Sequence, residues 1–194
     1  LVGRIVLFLG FTSRMTAYVY PDMAVDALAS ATPLAVADKT SLNLLDIFLG
    51  FHGGMMGEVC VLAILLGFAY LVATRTIEAT VPVTIVATVF VLTALNTGSP
   101  YTALVECMSG GLLFGAVFMA TDYVTCPFTT KGKLFYGVFI GLITFLIRHF
   151  GSMNEGMSYA ILLGNLMTPW FNAWGHQTPL GYKKPKKAKK GGAE

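Results

Sequence analysis

The sequence predicts an all-α membrane protein: a polytopic helical bundle with an internal repeat and broken or re-entrant helices. Two observations set the class. Of 194 residues, 55% are apolar and only 12% charged, and the mean hydropathy is +0.70, values typical of integral membrane chains. Uncharged stretches also recur at about 5–13, 59–74, 79–105, 107–121, 134–147 and 156–175. A third observation predicts the breaks: several stretches fall short of the roughly 20 residues that a straight crossing needs. Glu58, Glu106, Asp122, Lys133, Arg148 and Glu155 are therefore expected at interfaces, or at membrane depth facing protein. Gly53-Gly54, Gly110-Gly111 and Gly151 mark the expected breaks or close helix contacts.

Residues 1–11 read as the end of a truncated transmembrane helix, because the chain opens on Leu1 inside an apolar run. A longer polypeptide, of which this is the carboxy-terminal part, is the expectation. Residues 12–57 form a loop region, 58–175 about five transmembrane helices, and 176–194 a basic tail. Six of the thirteen basic residues lie in that tail, from Lys183 to Lys190. Beside so apolar a body it reads as an anchor to anionic membrane lipid on the cytoplasmic side, not as a nucleic-acid contact. Counting spans back from it places Lys131, Lys133, Arg75 and Arg4 inside and the 12–57 loop outside. The 79–105 stretch is long enough for an exception, because Asn96-Thr97-Gly98-Ser99-Pro100 can open a short half-helix.

Cys60, Cys107 and Cys126 are far apart and lack a CxxC pair, so neither a disulfide framework nor a cluster site is expected. His52, His149 and His176 lack metal-ligand spacing, and no metal is expected. Asn154 and Asn165 suit hydrogen bonds between helices. Trp170 and Trp174 suit interface anchors.

The repeat is internal and has a constant offset. Residues 54–67, from Gly54-Met55-Met56-Gly57-Glu58 to Gly67, match residues 151–164, from Gly151-Ser152-Met153-Asn154-Glu155 to Gly164, 97 positions later. Each copy reads as a carboxylate opening a helix, where the macrodipole favours it. Duplicated architecture of this kind suits a pathway or cofactor site at the repeat interface. On the residues alone, a small-solute channel or secondary transporter and a scaffolding subunit both remain open.

One loop segment is distinctive. Ala29-Ser30-Ala31-Thr32-Pro33-Leu34 presents a threonine hydroxyl among small residues, six positions after Asp26. Pro33 biases Thr32 toward extended backbone.

The block Ser109-Gly110-Gly111-Leu112-Leu113-Phe114-Gly115 through Thr121-Asp122-Tyr123-Val124-Thr125-Cys126-Pro127 strongly resembles the NqrB/RnfD family. So do Tyr136-Gly137, Ile147-Arg148 and the run from Glu155 to Leu162. These are the flavin-bearing membrane subunits of redox-driven sodium or proton pumps. Shortness and the lysine-rich tail look more like the D subunit of an Rnf complex than the B subunit of the quinone-reducing Nqr complex. The resemblance implies FMN esterified through its phosphate to Thr32, a bond made by a separate flavin transferase. Asp26, Ser30, Ala31 and Pro33 would complete the motif, with Ala29 and Ser30 replacing the family's usual serine and glycine. It further implies an outer flavin-bearing loop, a second non-covalent flavin (riboflavin), and partner Rnf subunits. The setting would be a bacterial or archaeal inner membrane, with Thr32 on the outer side and the C-terminus in the cytoplasm. NAD+ and ferredoxin would bind other subunits, since the chain has no GxGxxG after a strand. Glu58, Asp122 and Glu155 are the candidates for a Na+ or H+ path or a flavin contact, with helix capping as the competing reading.

Overall fold

The computed structural model describes residues 1–11, 43–51, 54, 57–151 and 156–175. Asp26, Ser30, Ala31, Thr32, Pro33, Asn154, Glu155, His52, His176 and the lysine tail lie outside the described residues. The helices, in chain order, are α1 (Val2–Gly10), α2 (Leu44–Leu49), α3 (Val61–Ala73), α4 (Thr80–Thr97), α5 (Pro100–Met108), α6 (Leu112–Met119), α7 (Thr130–Phe150) and α8 (Met157–Trp174). By length and composition α4 and α7 can each cross a membrane, and the bent pair α5–α6 makes a third crossing if it counts as one span. The 13 residues of α3 reach only about 20 Å, short of a bilayer's hydrocarbon thickness.

Local chemistry explains the boundaries. The 79–105 stretch is not one helix. Gly98 adopts φ 66°, a left-handed C-cap, and Pro100 then occupies the first turn of α5, where its missing N–H costs nothing. The half-helix expected from Asn96 to Pro100 is therefore present. The 107–121 stretch also breaks: Ser109 is extended, Gly110 has φ 67°, and α5 meets α6 at 65°. Within α6, Gly115–Met119 is wound as a π-helix, a local widening common at functional sites. Thr129 caps α7, accepting a hydrogen bond from Gly132 N at 3.1 Å.

The core lies between α4, α6, α7 and α8, where Val81, Ile85, Ala116, Ala120, Tyr136, Ile140, Ala160 and Ile161 are buried. The α4–α7 contact depends on glycine. A Cβ on Gly137 would lie 2.8 Å from Thr84 Cβ, and one on Gly141 would lie 2.7 Å from Thr88 Cβ. The threonines answer with their hydroxyls turned back onto their own helix, Thr84 to Thr80 O at 2.6 Å and Thr88 to Thr84 O at 2.7 Å. Both hydroxyls are thereby satisfied within α4, and methyls meet the glycines. Gly141→Leu is accordingly expected to pry α7 from α4, costing about 3 kcal/mol. Unfolding of the purified chain in a detergent titration measures it, and Gly141→Ala should cost less than Gly141→Leu. Asn165 works as expected between helices, accepting from Tyr136 Oη at 2.6 Å.

The expected repeat has a structural counterpart. Helix α3 begins at Val61 and α8 at Met157, within one residue of the 97-residue offset. The matched glycines both sit in helix contacts, Gly67 against Phe118 and Gly164 against Ile140.

Side chains sort the bundle into two ends. At one end Lys133 pairs with Glu78 at 2.7 Å and Tyr123 Oη donates to Thr76 O. There too Thr168 Oγ1 donates to Thr125 O and Phe128 N to Asn172 Oδ1. Burial pushes the Cys126 thiol above its ordinary pKa in this same region. Exposed Trp170 and Trp174 belong to the turns of α8 nearest this end. The start of α3, the end of α7 and the start of α8 define the other end.

Candidate functional site at the helix break

Four charged side chains gather where α5 gives way to α6. Residues at the end of one helix and the start of the next expose backbone groups that the helices themselves cannot satisfy. Here the carbonyls at the end of α5 are met by charge. Arg148, in the last turn of α7, donates Nη1 to Glu106 O at 2.7 Å and Nη2 to Ser109 O at 3.3 Å. A cation thus sits on the negative end of α5. Across the break, Glu58 places its carboxylate beside the start of α6: a Cβ on Gly111 would lie 3.0 Å from each carboxylate oxygen. Only glycine leaves room for that approach. Glu58 accepts a hydrogen bond from Arg4 Nη2 at 2.8 Å, and its side chain is 7% exposed.

Glu106 is buried as well, at 3% exposure, and accepts from Thr93 Oγ1 at 3.4 Å. Arg4, Glu106 and Arg148 take part in further contacts beyond these. Two arginines and two glutamates sum to zero formal charge. That balance matters, because one charge in the middle of a membrane helix costs about 2.5–3.5 kcal/mol on insertion scales. A small cavity, about the size of one water molecule, opens between Arg4, Gly111, Arg148, Met157, Ser158 and Met119. Ser109 Oγ is buried without a hydrogen-bond partner.

Two sequence expectations need correction. Glu58 does not cap its helix: α3 starts at Val61 with Cys60 as N-cap, and the carboxylate turns instead to Arg4. Nor does Arg4 stand with Arg75 and Lys133; it shares a cavity with Arg148 at the opposite end. An arginine early in an apolar run reads as an inner flank only while its partner is unknown. Asp122 lies away from this cluster. It is exposed, its carbonyl accepts from Cys126 N at 3.0 Å, and its carboxylate accepts from Thr125 Oγ1 at 3.3 Å. Glu58 and Asp122 are therefore separate local sites. His149 stacks on Phe145, ring centres 4.7 Å apart, and no group of three potential metal ligands forms among the described residues.

Sequence reasoning missed Arg4, Arg148, Glu106 and Ser109 as one group. The usable signal was charge placed against apolar runs beside Gly110-Gly111. What the group can do chemically is limited and definite. It holds paired charge at a discontinuity in the bundle.

Apolar helices long enough to cross a membrane and a bent helix pair meeting at a charged junction define a helical membrane protein. The chain belongs to the NQR2, RnfD, RnfE family, whose model matches residues 1–181. It is 37% identical to the D subunit of the Na(+)-translocating ferredoxin:NAD(+) oxidoreductase complex of Acetobacterium woodii, over 98% of this chain and 60% of the relative. It is 32% identical to the D subunit of the proton-translocating ferredoxin:NAD(+) oxidoreductase complex of Clostridium ljungdahlii, over 94% of this chain and 60% of that one. Against the D subunit of the ion-translocating oxidoreductase complex of Stutzerimonas stutzeri, identity is 42% over 65% of this chain and 37% of the relative. The chain thus spans about 60% of the length of the first two relatives.

Proposed function

We propose that this chain is the membrane flavoprotein subunit of an Rnf-type ion-translocating ferredoxin:NAD+ oxidoreductase, relaying electrons through FMN esterified to Thr32. The observation that carries the reading is the segment Asp26 to Leu34, with its Thr32-Pro33 step after three small residues, in a chain that belongs to this family. The relatives, each named as the D subunit of its complex, favour the Rnf assignment over a quinone-reducing Nqr subunit.

The chemistry is coherent. A phosphoester to Thr32 keeps the flavin at high local concentration and stops an intermediate carrier from diffusing away. Ala29, Ser30 and Ala31 leave the hydroxyl open to a flavin transferase, and Asp26 serves as that enzyme's recognition residue. When bound, the flavin supplies the electron-transfer chemistry. The chain supplies attachment and position, in a bacterial or archaeal cytoplasmic membrane with the Thr32 loop outside and the lysine tail inside. A non-covalent riboflavin and the NAD+- and ferredoxin-binding subunits complete the relay. Coupling to Na+ or H+ belongs to the assembled complex, with Glu58, Asp122 and Glu155 as this chain's candidate contacts.

The test is direct. In protein matured with its transferase, the peptide containing Thr32 should carry the added mass of FMN less one water. The denatured band should fluoresce under ultraviolet light. A peptide of unmodified mass together with a dark band refutes the flavoprotein reading.

A further inference from the structure

We infer that the α5–α6 break is a gate closed by two electrostatic clasps, one formed by Arg148 and the other by the Arg4–Glu58 pair. This inference concerns the described bundle itself and stands apart from the state of Thr32.

The argument starts from the backbone. The α5–α6 segment is interrupted twice, at Ser109–Gly111 and at the π-helix of Gly115–Met119, and Gly98 detaches it from α4. Each interruption removes helical hydrogen bonds that would otherwise stiffen the segment. Its middle is retained from outside by different helices. Arg148 reaches from α7 to two carbonyls at the end of α5, Glu106 O and Ser109 O. Glu58, three residues before α3, packs its carboxylate against Gly111 at the start of α6 and is itself held by Arg4 of α1. The two half-helices therefore have separate fastenings, with Gly110 between them in a left-handed conformation (φ 67°). Releasing either clasp leaves the hinge at Gly110 restrained only by the apolar packing of the two half-helices, whereas an unbroken helix would carry the strain along its length.

The space behind the gate is already present in miniature. The water-sized cavity between Arg4 and Arg148 touches Gly111 and the first turn of α8. In the last turn of α5, Cys107 is 4% exposed and packs against Val89 and Leu112. Opening the break brings water to that thiol, and Cys107 is thus a built-in reporter. Cys126, near the opposite end of the bundle, reports general loosening instead.

The experiment uses the full-length chain in its native membrane complex. One background retains Cys107 alone, a second retains Cys126 alone, and both are labelled with a small charged methanethiosulfonate. Glu58→Gln and Arg148→Gln are each expected to speed Cys107 labelling about tenfold or more, as loss of a charge-assisted hydrogen bond allows. Cys126 labelling should stay unchanged. Arg148→Lys should restore part of the protection, because a lysine can hold one carbonyl but not both. If Glu58→Gln does not accumulate, Arg4→Lys gives the same readout at smaller amplitude. Equal acceleration at Cys107 and Cys126 would overturn the gate, and so would unaltered Cys107 labelling in variants that assemble.

Discussion

In Thr32→Ala, electron transfer through the assembled complex is expected to fall at least about 100-fold, while the chain still inserts and binds its partners. The size of the loss follows from the tether. Linking a carrier to its site makes each encounter intramolecular, an advantage of roughly 10²–10⁴ over a freely diffusing one. Alanine removes the only atom of that side chain that can form the phosphoester and changes almost nothing else in a segment of small residues. Thr32→Ser keeps a hydroxyl and is expected to retain part of the flavin signal, because a lone hydroxyl without the methyl group is less well positioned. Measuring flavin fluorescence of the denatured chain beside turnover of the complex separates the effects. Full turnover in a chain without flavin would remove Thr32 from the relay.

Arg148→Met should destabilise the chain about as much as Gly141→Leu. It strips two backbone carbonyls, Glu106 O and Ser109 O, of a charged donor inside the bundle. A hydrogen bond to a charged group contributes about 1.5–3 kcal/mol, and leaving its buried partner unsatisfied adds to the cost. A loss of about 3 kcal/mol is expected from these two contacts together. The detergent-unfolding midpoint of the purified chain reads it. Arg75→Met, at the exposed far end of α3, provides the comparison and should stay within about 0.5 kcal/mol. Similar losses in both variants would show that Arg148 does no more than an ordinary surface charge.

The contrast between these two experiments also marks what can be read along a chain. Thr32 is legible because its chemistry is linear: a hydroxyl, small neighbours, a following proline and an aspartate six positions before it. The break at Gly98–Pro100 is legible for the same reason, since glycine and proline act on their own backbone. The seam between α4 and α7 was partly legible. Gly137 and Gly141, four apart, form a small-residue pair of the kind that lets membrane helices approach, yet Thr84 and Thr88 are known as their partners only from the fold. The pairing of Arg4 with Glu58, 54 positions away, left no local trace. It puts Arg4 at the end of the bundle opposite Lys133, with which it was expected to stand.

Composition and spacing by themselves determined that this is a helical membrane protein and roughly where its helices lie. Each of those depends on a residue's own backbone preference or on its transfer out of water, quantities that do not need a neighbour. Tertiary structure alone decided which charges meet. A buried guanidinium or carboxylate is tolerated only where an opposite charge or an open carbonyl is brought within hydrogen-bond reach, and α1, α3, α5 and α7 supply those groups from distant parts of the chain.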